Sequence, residues 1–271
     1  MVATTAVQFQ YVTLSHGKTR YIEAGTGHPV ILLHSSGLQS GADDWLLNVP
    51  ALAQRFRVLA PDMLGWGLGD QLPQEYGFAY LTDFIREFQD VLDIPSAHLV
   101  GASMGGWLAG LLSYESPNRV DRVIVTGHNG VDPEPNPHFD NFKAPADEDI
   151  RQWVLKTSKG SDVDAGAIAA ERIRKAHQPG YVETFAGIMR HMGDMTARRR
   201  YDMVRRFPYI KAPTLYVWGR KDRSFPKASI AQKLTPNSRL LEMDCGHFVA
   251  MEVPEEFNKA AVEFLAGGQP C

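Results

Sequence analysis

The chain has 271 residues, of which 44% are hydrophobic, and its formal net charge is −3 at pH 7. This length suffices for one large domain with a sizeable core, and the slightly acidic balance argues against nucleic acid as the main partner. The chain's two cysteines, Cys245 and Cys271, exclude a disulfide framework and a cysteine-rich metal centre. Because residues 1–5 carry no secretory pattern and no apolar run has the length of a membrane span, we expect a cytoplasmic protein that does not bind a membrane.

Short apolar runs alternate with helical patterns along the chain. Residues 8–14 and 19–24 predict a hairpin, and continuous apolar runs predict strands buried on both faces. These strands are expected at 29–34, 56–60, 97–100, 120–126, 214–218 and 239–243, and helices at 43–54, 80–93, 104–115, 226–234 and 255–265. The alternation predicts an α/β fold with a mostly parallel eight-stranded sheet.

One segment, 132–211, interrupts this alternation. It opens with proline-rich residues 132–137, and helical patterns follow at 147–159, 163–176, 180–192 and 195–206. We interpret it as a helical cap inserted after the sixth strand, with 1–131 and 212–271 forming the core domain. Residues 172–206 carry nine Lys or Arg against three acids, which indicates either a solvated helix face or a positive lid over a pocket for an anionic substrate.

A Gly-x-Ser-x-Gly motif links an apolar strand to an apolar helix at residues 100–106. A sharp strand-to-helix turn lifts Ser103 clear of the backbone and points its hydroxyl at a partner base. The crowded turn requires very small residues on both sides, and Gly101 and Gly105 meet that requirement. The motif alone could be a glycine-rich turn, but its strand–turn–helix context favours a nucleophile.

Two later strands end close to the partners that a serine nucleophile requires. Asp222 follows the strand 214–218, and His247 follows the strand 239–243. Carboxyl ends of parallel strands gather at one edge of a sheet, so we expect Ser103, Asp222 and His247 to meet there as nucleophile, orienting acid and base. Asp132 is a second candidate for the acid.

Hydrolysis of a carbonyl compound also requires donors for the oxyanion. We expect the N–H groups of Met104 and Ser36, the latter in the loop that follows the strand 29–34. His34 is expected to hold that loop rather than act as a second base. The glycine-rich stretch 61–70 lacks a Lys-Ser/Thr pair and contains Asp62, which would repel phosphate, so we interpret it as a structural loop beside the substrate.

These motifs together resemble the α/β-hydrolases over nearly the whole chain. Within that superfamily the stretches 55–63, 178–185 and 245–248 most resemble the meta-cleavage product hydrolases, which hydrolyse a carbon–carbon bond in vinylogous 1,5-diketone acids from aromatic ring breakdown. The resemblance implies a small anionic substrate and an enzyme without cofactor or metal. It also implies a cap arginine at the substrate's acidic end, and Arg172 stands at the matching distance before Gln178-Pro179-Gly180; the alternative is a surface arginine.

The same resemblance places further residues in the substrate pocket. They are Ser35 and Gly37 in the oxyanion loop, Ala102 before the nucleophile and Phe248 after the histidine. The oxyanion loop reads His34-Ser35-Ser36-Gly37 where the family usually has His-Gly and further glycines. The chain also carries Ala102 where the family usually has Asn, and Phe248 where it has Trp.

Three functions therefore remain open at the level of the sequence. The first is hydrolysis of a carbon–carbon bond in a small acidic keto compound, and the second is a carboxylesterase or lactonase with the same triad. The third is a receptor that binds a small molecule without catalysis. A homodimer would be compatible with each of them.

Overall fold

The computed structural model describes residues 7–128, 130, 131, 134, 135, 139 and 141–267. Within them, strands β1 to β8 span Gln8–Leu14, Gly17–Ala24, His28–Leu33, Phe56–Pro61, Ala97–Ala102, Val120–Thr126, Thr214–Gly219 and Ser238–Met243. Helices α1 to α10 span Val49–Leu52, Phe78–Val91, Met104–Glu115, Asp147–Thr157, Ala165–Ala176, Tyr181–Gly193, Met195–Arg200, Phe225–Leu234, Val249–Glu252 and Pro254–Leu265.

The described strands form one eight-stranded sheet in the order β1-β2-β4-β3-β5-β6-β7-β8. Strand β2 is antiparallel to both β1 and β4, and the pairs from β4 to β8 are parallel. The mostly parallel eight-stranded sheet predicted from the sequence is confirmed. Parallel strands need crossover helices, which is why apolar runs and helical patterns alternate along the chain.

Both faces of the sheet are buried. Along β3, Ile31 and Leu33 belong to one core cluster, whereas Val30 and Leu32 belong to another. The first cluster includes apolar side chains of α2, α3 and α8, and the second includes those of α1, α9 and α10. Because successive side chains of a strand point to opposite faces, the apolar runs supply both cores at once.

Two predicted helices are shorter in the structure than the sequence suggests. In place of a helix at 43–54 the chain forms a 3₁₀ turn at Ala42–Trp45 and the single turn α1, with Pro50 near the start of α1. Proline lacks the N–H of a continuous helix, so it is tolerated in a first turn and separates the two pieces. The helix expected at 195–206 ends at Arg200, and the 3₁₀ turn Phe207–Tyr209, with proline at its second residue, follows.

Helices α4 to α7 lie between β6 and β7 in the chain, where the sequence predicts an inserted cap. The side chain of Phe185 in α6 packs against Trp66 of the glycine-rich loop after β4, with ring centroids 5.3 Å apart. The division into a core and a cap domain stays a prediction, and most of its proline-rich opening (residues 132, 133, 136 and 137) lies outside the described residues. None of the helices in the described part of the chain has the length and apolar character that crossing a bilayer requires.

Candidate active site

Ser103 stands at the sharp turn between β5 and α3. Its backbone angles are φ 53° and ψ −115°, a region that residues with side chains rarely occupy. A Cβ atom on Gly101 would lie 2.3 Å from the carbonyl oxygen of Gly105, and one on Gly105 would lie 2.2 Å from that of Leu33. The N–H of Ser103 donates to the carbonyl of Thr126 at 2.7 Å. The backbone therefore requires both glycines, and the turn holds the serine at the carboxyl edge of the sheet.

An imidazole joins the serine hydroxyl to a carboxylate. His247 Nε2 lies 3.1 Å from Ser103 Oγ, and His247 Nδ1 lies 2.7 Å from Asp222 Oδ2. The structure thus brings together the three side chains that the sequence singles out, although 144 residues separate the serine from the histidine. A carboxylate at Nδ1 fixes the proton on that nitrogen, which leaves Nε2 to accept a proton from the hydroxyl.

Hydrogen bonds keep the acidic member of this group ionised. The carboxyl group of Asp222 is buried, which by itself would raise its pKa. Hydrogen bonds from His247 and from the N–H of Ser224, at 2.9 Å, outweigh burial and hold the pKa below its usual range. Asp222 therefore carries a negative charge at neutral pH. Asp132, the other candidate acid, lies outside the described residues.

The loop after β3 brings Ser36 close to the start of α3. Ser36 and Met104 both line the cavity beside the serine, and Met104 is the first residue of α3, so its N–H has no acceptor within the helix. His34 fixes the loop: Nδ1 donates to the carbonyl of Ser35 at 2.7 Å, and Nε2 accepts from the N–H of Met63 at 2.9 Å. Burial lowers the pKa of His34 to about 4, so the ring stays neutral and both nitrogens are committed to the backbone.

A cavity of 820 Å³ adjoins the serine. Four of the predicted site residues besides the triad and Met104 line it: Ser35, Ser36, Gly37 and Phe248. One part of the wall is apolar and another is charged. The apolar side chains are Phe78, Trp107, Phe139 and Met192, and the charged ones apart from Asp222 are Glu134, Arg198, Lys221, Arg223 and Lys227. A pocket of this size and character suits a small organic molecule.

Ala102 is not among the residues that line this cavity, and its contact with the substrate stays a prediction. It lines a separate space of 20 Å³, together with Ser35 and Phe248 among others. Ala102 is the last residue of β5 and packs against the same core as Val100, because alternate residues of a strand share a face.

Arg172 is not among the residues that line the cavity either, and its role as the substrate's anion contact stays a prediction. Its guanidinium is buried and donates to the carboxylate of Asp43 and to the carbonyl oxygen of Gln39. The same Asp43 carboxylate accepts from Arg20 at 2.9 Å, and Arg20 also binds Asp62 at 2.7 Å. Two arginines and two aspartates therefore pair with one another beneath the oxyanion loop, and they hold α5 against the core.

Two residues in the wall of the cavity were missed at the level of the sequence. Arg198 in α7 lies over the rings of Trp107 and Phe139, 5.1 Å from each centroid. His128 stacks on Trp107 and accepts the N–H of Gly130 at Nδ1, 3.0 Å away. Burial, with nearby positive charges, lowers the pKa of His128 to about 3, so its ring is neutral with the proton on Nε2. His128 follows β6, and the rule that placed Asp222 and His247 beyond their strands applies to it equally.

Among the described residues, the side chains that line the cavity include no group that could hold a metal ion, which would need three or more His, Cys, Asp or Glu residues with their ligand atoms close together. The one such group in the described part of the chain is His28, His98 and Asp121. It lies at the amino ends of β3, β5 and β6, on the edge of the sheet opposite to Ser103.

The chain is similar to enzymes of known activity over almost its whole length. It is 28% identical to the 2-hydroxy-6-oxononadienedioate/2-hydroxy-6-oxononatrienedioate hydrolase of Paraburkholderia xenovorans, with 97% of each chain covered. It is 28% identical to the 2-hydroxy-6-oxo-2,4-heptadienoate hydrolase of Pseudomonas putida, covering 92% of this chain and 93% of that one.

Solved structures agree with these sequence similarities. The meta-cleavage product hydrolase from Pseudomonas fluorescens IP01, complexed with acetates, superposes with a TM-score of 0.78 at 28% identity, covering 95% of this chain and 97% of that one. A serine hydrolase from Cycloclasticus zankles gives a TM-score of 0.80 at 25% identity, covering 97% and 99%. The alpha/beta hydrolase fold family matches residues 29–254. This chain, with its strand–serine–helix turn and the sheet that carries it, belongs to the α/β-hydrolase fold family.

Proposed function

We propose that this chain is a serine hydrolase that cleaves a carbon–carbon bond in a small acidic keto compound of the meta-cleavage type. The observation that carries the hydrolytic part is the hydrogen-bonded series Ser103–His247–Asp222 beside a cavity of 820 Å³. The substrate class is supported by the relatives that match nearly the whole chain, which are named as hydrolases of hydroxy-oxo-dienoic acids.

The geometry assigns a role to each member of the series. His247 takes the proton of Ser103 Oγ, or of a water molecule in its place, as that oxygen attacks the carbonyl carbon. Asp222 holds the imidazole in the tautomer that accepts at Nε2, and it stabilises the imidazolium that forms. The N–H groups of Ser36 and Met104 donate to the negatively charged oxygen of the tetrahedral intermediate.

Cleavage of a carbon–carbon bond adds one proton transfer to this scheme. The enol of the substrate must first become a ketone, so its hydroxyl proton moves to carbon, and His247 is the base within reach to carry it. Attack on the distal ketone then breaks the bond to the adjacent carbon. The electron pair of that bond moves into the conjugated keto acid and, with a proton from His247, restores its enol. If water attacked, the other product is a carboxylic acid; if Ser103 attacked, it is an ester of Ser103, which a water molecule activated by His247 then hydrolyses to the acid.

We assign the contact with the substrate's carboxylate to Arg198 in place of Arg172. Arg198 lies in the wall of the cavity, over two aromatic rings, and Lys227 lies in the same wall. The charges of both cations help to lower the pKa of His128, and Lys227 also pairs with Glu134 of the same wall at 3.3 Å. A carboxylate bound there would leave the keto group free to reach toward Ser103.

The test compares two substrates on two variants. Native protein, Ser103→Ala and the control Ser161→Ala are assayed with a 2-hydroxy-6-oxo-dienoic acid and with p-nitrophenyl acetate. Ser161 lies in the loop between α4 and α5, and it is not among the residues that line the cavity. We expect the dienoic acid to be the better substrate by kcat/KM, and we expect Ser103→Ala to lose about 10⁴-fold or more in kcat while Ser161→Ala keeps the native rate.

Each other outcome identifies a different function. Fast turnover of the ester with an untouched dienoic acid would identify a carboxylesterase or lactonase with the same triad. Turnover of both compounds at background in native protein and in Ser103→Ala alike would identify a receptor.

A cytoplasmic location and assembly as a homodimer remain proposals. The small number of cysteines, with Cys245 a buried free thiol, supports a reducing compartment. Light scattering on the purified protein would test the dimer.

A further inference from the structure

Two histidines and an aspartate meet at the edge of the sheet opposite to the triad. His28 is the first residue of β3, His98 the second of β5 and Asp121 the second of β6. These strands are neighbours in the sheet and run parallel, so their amino ends come together as their carboxyl ends do around Ser103. One ligand atom from each residue lies within 4.8 Å of the other two.

The three side chains already interact with one another. His28 Nε2 lies 2.8 Å from Asp121 Oδ2, and the rings of His28 and His98 have centroids 4.4 Å apart. The ring of His98 is also packed edge-on against Phe56, at 5.9 Å. The side chains of His28 and Asp121 are 43% and 38% exposed, so solvent and ions reach the group from one side.

His98 is the informative member, because it is buried and one of its nitrogens lacks a partner. Its residue is 7% exposed, and Nδ1 has no hydrogen-bond partner in the described part of the chain. Nδ1 of His98 is therefore a buried nitrogen that a metal ion could bind.

We propose that His28, His98 and Asp121 bind a divalent transition-metal ion, with Zn²⁺ the best fit, between the amino ends of β3, β5 and β6. Two imidazoles and one carboxylate are a common donor set for zinc, with a water molecule in the fourth position.

The geometry requires a small adjustment that the exposed side chains allow. Ligand atoms around a tetrahedral zinc ion lie roughly 3.3 Å apart, given bonds of about 2.0 Å. The pair His28–Asp121 is already closer than that, and the half-exposed ring of His28 is able to turn toward His98. Arg122 opposes a cation here, since its charge acts on His98, and the carboxylate of Asp121 offsets that charge.

The place of this group in the fold points to a structural role. The metal would join the amino ends of three central strands. Because the triad lies at the other edge of the sheet, bound metal should raise the melting temperature and leave turnover unchanged.

Zinc binding to the full chain tests the proposal, with a matched pair of residues as the control. His177 and Asp147 also form an exposed His–carboxylate pair, at 2.9 Å, but the described residues place no third ligand beside them. We would titrate native protein, His28→Ala, Asp121→Asn, His98→Phe and His177→Ala with ZnCl₂ by calorimetry. Cobalt chloride would report the coordination of the metal by its visible spectrum.

We expect one zinc ion per native chain and a tetrahedral cobalt spectrum. His28→Ala and Asp121→Asn should each weaken zinc binding at least tenfold, and His177→Ala should bind as native protein does. His98→Phe keeps a ring against Phe56, and it should lose binding while remaining folded by circular dichroism. Native affinity in both His28→Ala and Asp121→Asn would overturn the proposal, as would zinc that binds only with loss of turnover, since that metal would sit on His247.

Discussion

A guanidinium that lies across aromatic rings is stabilised by their electron-rich faces. Arg198 has this environment, between Trp107 and Phe139 in the wall of the cavity, and it also donates to the carbonyl oxygen of Met192 at 3.3 Å. The two cap arginines therefore have different environments at the level of single residues. Arg172 is bound by the carboxylate of Asp43, while Arg198 lines the cavity.

Replacing Arg198 should weaken the binding of anionic substrates selectively. In Arg198→Gln we expect KM for a dienoic acid to rise roughly 10- to 100-fold, because a hydrogen bond to a charged group contributes about 1.5–3 kcal/mol. KM for the uncharged p-nitrophenyl acetate should stay within about twofold. Steady-state kinetics on both substrates measures the difference.

The adjacent Arg199 is exposed and provides the control. Arg199→Gln should leave both KM values as they are in native protein. An equal rise in KM for the acid and for the ester in Arg198→Gln would show that this side chain shapes the cavity and does not bind the carboxylate.

Single residues were predictable from the sequence where a local pattern determines their geometry. Ser103 lies in a motif whose glycines are forced by backbone contacts, and Asp222 and His247 follow buried strands. Arg172 was assigned by its distance from Gln178-Pro179-Gly180, and that spacing contains no information on Asp43, which is 129 residues away and takes up the charge. The partner of a buried arginine is set by the packing of α5 on the core, which is a tertiary property.

At the scale of elements, the turn between β5 and α3 depends on backbone that passes too close for any side chain. Gly105→Ala should lower the free energy of unfolding by roughly 3 kcal/mol or more, because its Cβ would meet the carbonyl of Leu33 at 2.2 Å and neither backbone can yield easily. It should also displace Ser103. Urea unfolding followed by circular dichroism measures the loss.

Gly110 in the same helix provides the control for this prediction. Its Cβ would meet only the flexible end of Met203, at 3.1 Å. Alanine favours a helix interior over glycine by about 1 kcal/mol, so Gly110→Ala should be neutral or slightly stabilising. Equal stability of the two variants would mean that the turn relaxes more readily than its contacts indicate.

The docking of α4 involves a carboxyl group whose protonation should be visible in stability. Trp153 of α4 donates to Asp44 at 2.8 Å. Burial raises the pKa of Asp44 to about 7, although the charge of Arg172 and the hydrogen bond from Trp153 both act to lower it. In an unfolded chain the same group titrates near 3.8. Between these values the folded state holds a proton that the unfolded state has lost, so stability contributed by this group falls as pH rises.

Asp44→Asn should remove that dependence while its amide oxygen still accepts from Trp153. The free energy of unfolding of Asp44→Asn minus that of native protein should increase by roughly 2 kcal/mol from pH 5 to pH 7, since one pKa unit corresponds to about 1.4 kcal/mol. Above pH 7 the difference should level off. Denaturant unfolding at several pH values measures it, and a constant difference across this range would contradict the raised pKa.

Elements were predictable wherever an apolar run or a helical period was uninterrupted. The strands and the longer helices are found within a few residues of their predicted positions. The segment 195–206, where the helix ends at Arg200, is one exception, and the segment 43–54 is another. In 43–54, Asp43 and Asp44 are buried through their pairing with Arg172 and Trp153 rather than exposed on a helix. Polar residues that are buried through distant partners interrupt the periodicity on which such predictions depend.

At the scale of the whole molecule, one set of buried charges connects the core to the segment between β6 and β7. Arg20 of β2 binds Asp62 and Asp43, and Arg172 of α5 binds the same Asp43. The carboxylates raise the pKa of Arg20 despite its burial, and Arg20 in turn holds the pKa of Asp62 below its usual range. Charges of this kind are stabilising only as a complete set, because an unpaired buried ion is costly.

Removing one member of this set should destabilise the molecule more than it affects substrate binding. Arg172→Met keeps the apolar stem but leaves Asp43 without one of its partners, and we expect it to lower the free energy of unfolding by about 3–5 kcal/mol. Arg174, two residues further along α5, has an exposed side chain that pairs with Glu171. Because an exposed ion pair contributes little to stability, Arg174→Met should leave the free energy of unfolding unchanged. Denaturant unfolding of both variants, with KM for the dienoic acid measured on the folded fraction, separates the two roles considered for Arg172. If Arg172 binds the substrate's carboxylate, Arg172→Met will raise KM for the dienoic acid without lowering the free energy of unfolding. If Arg172 instead holds α5 against the core, Arg172→Met will lower the free energy of unfolding. In that case KM for the dienoic acid will rise no more than KM for an uncharged ester.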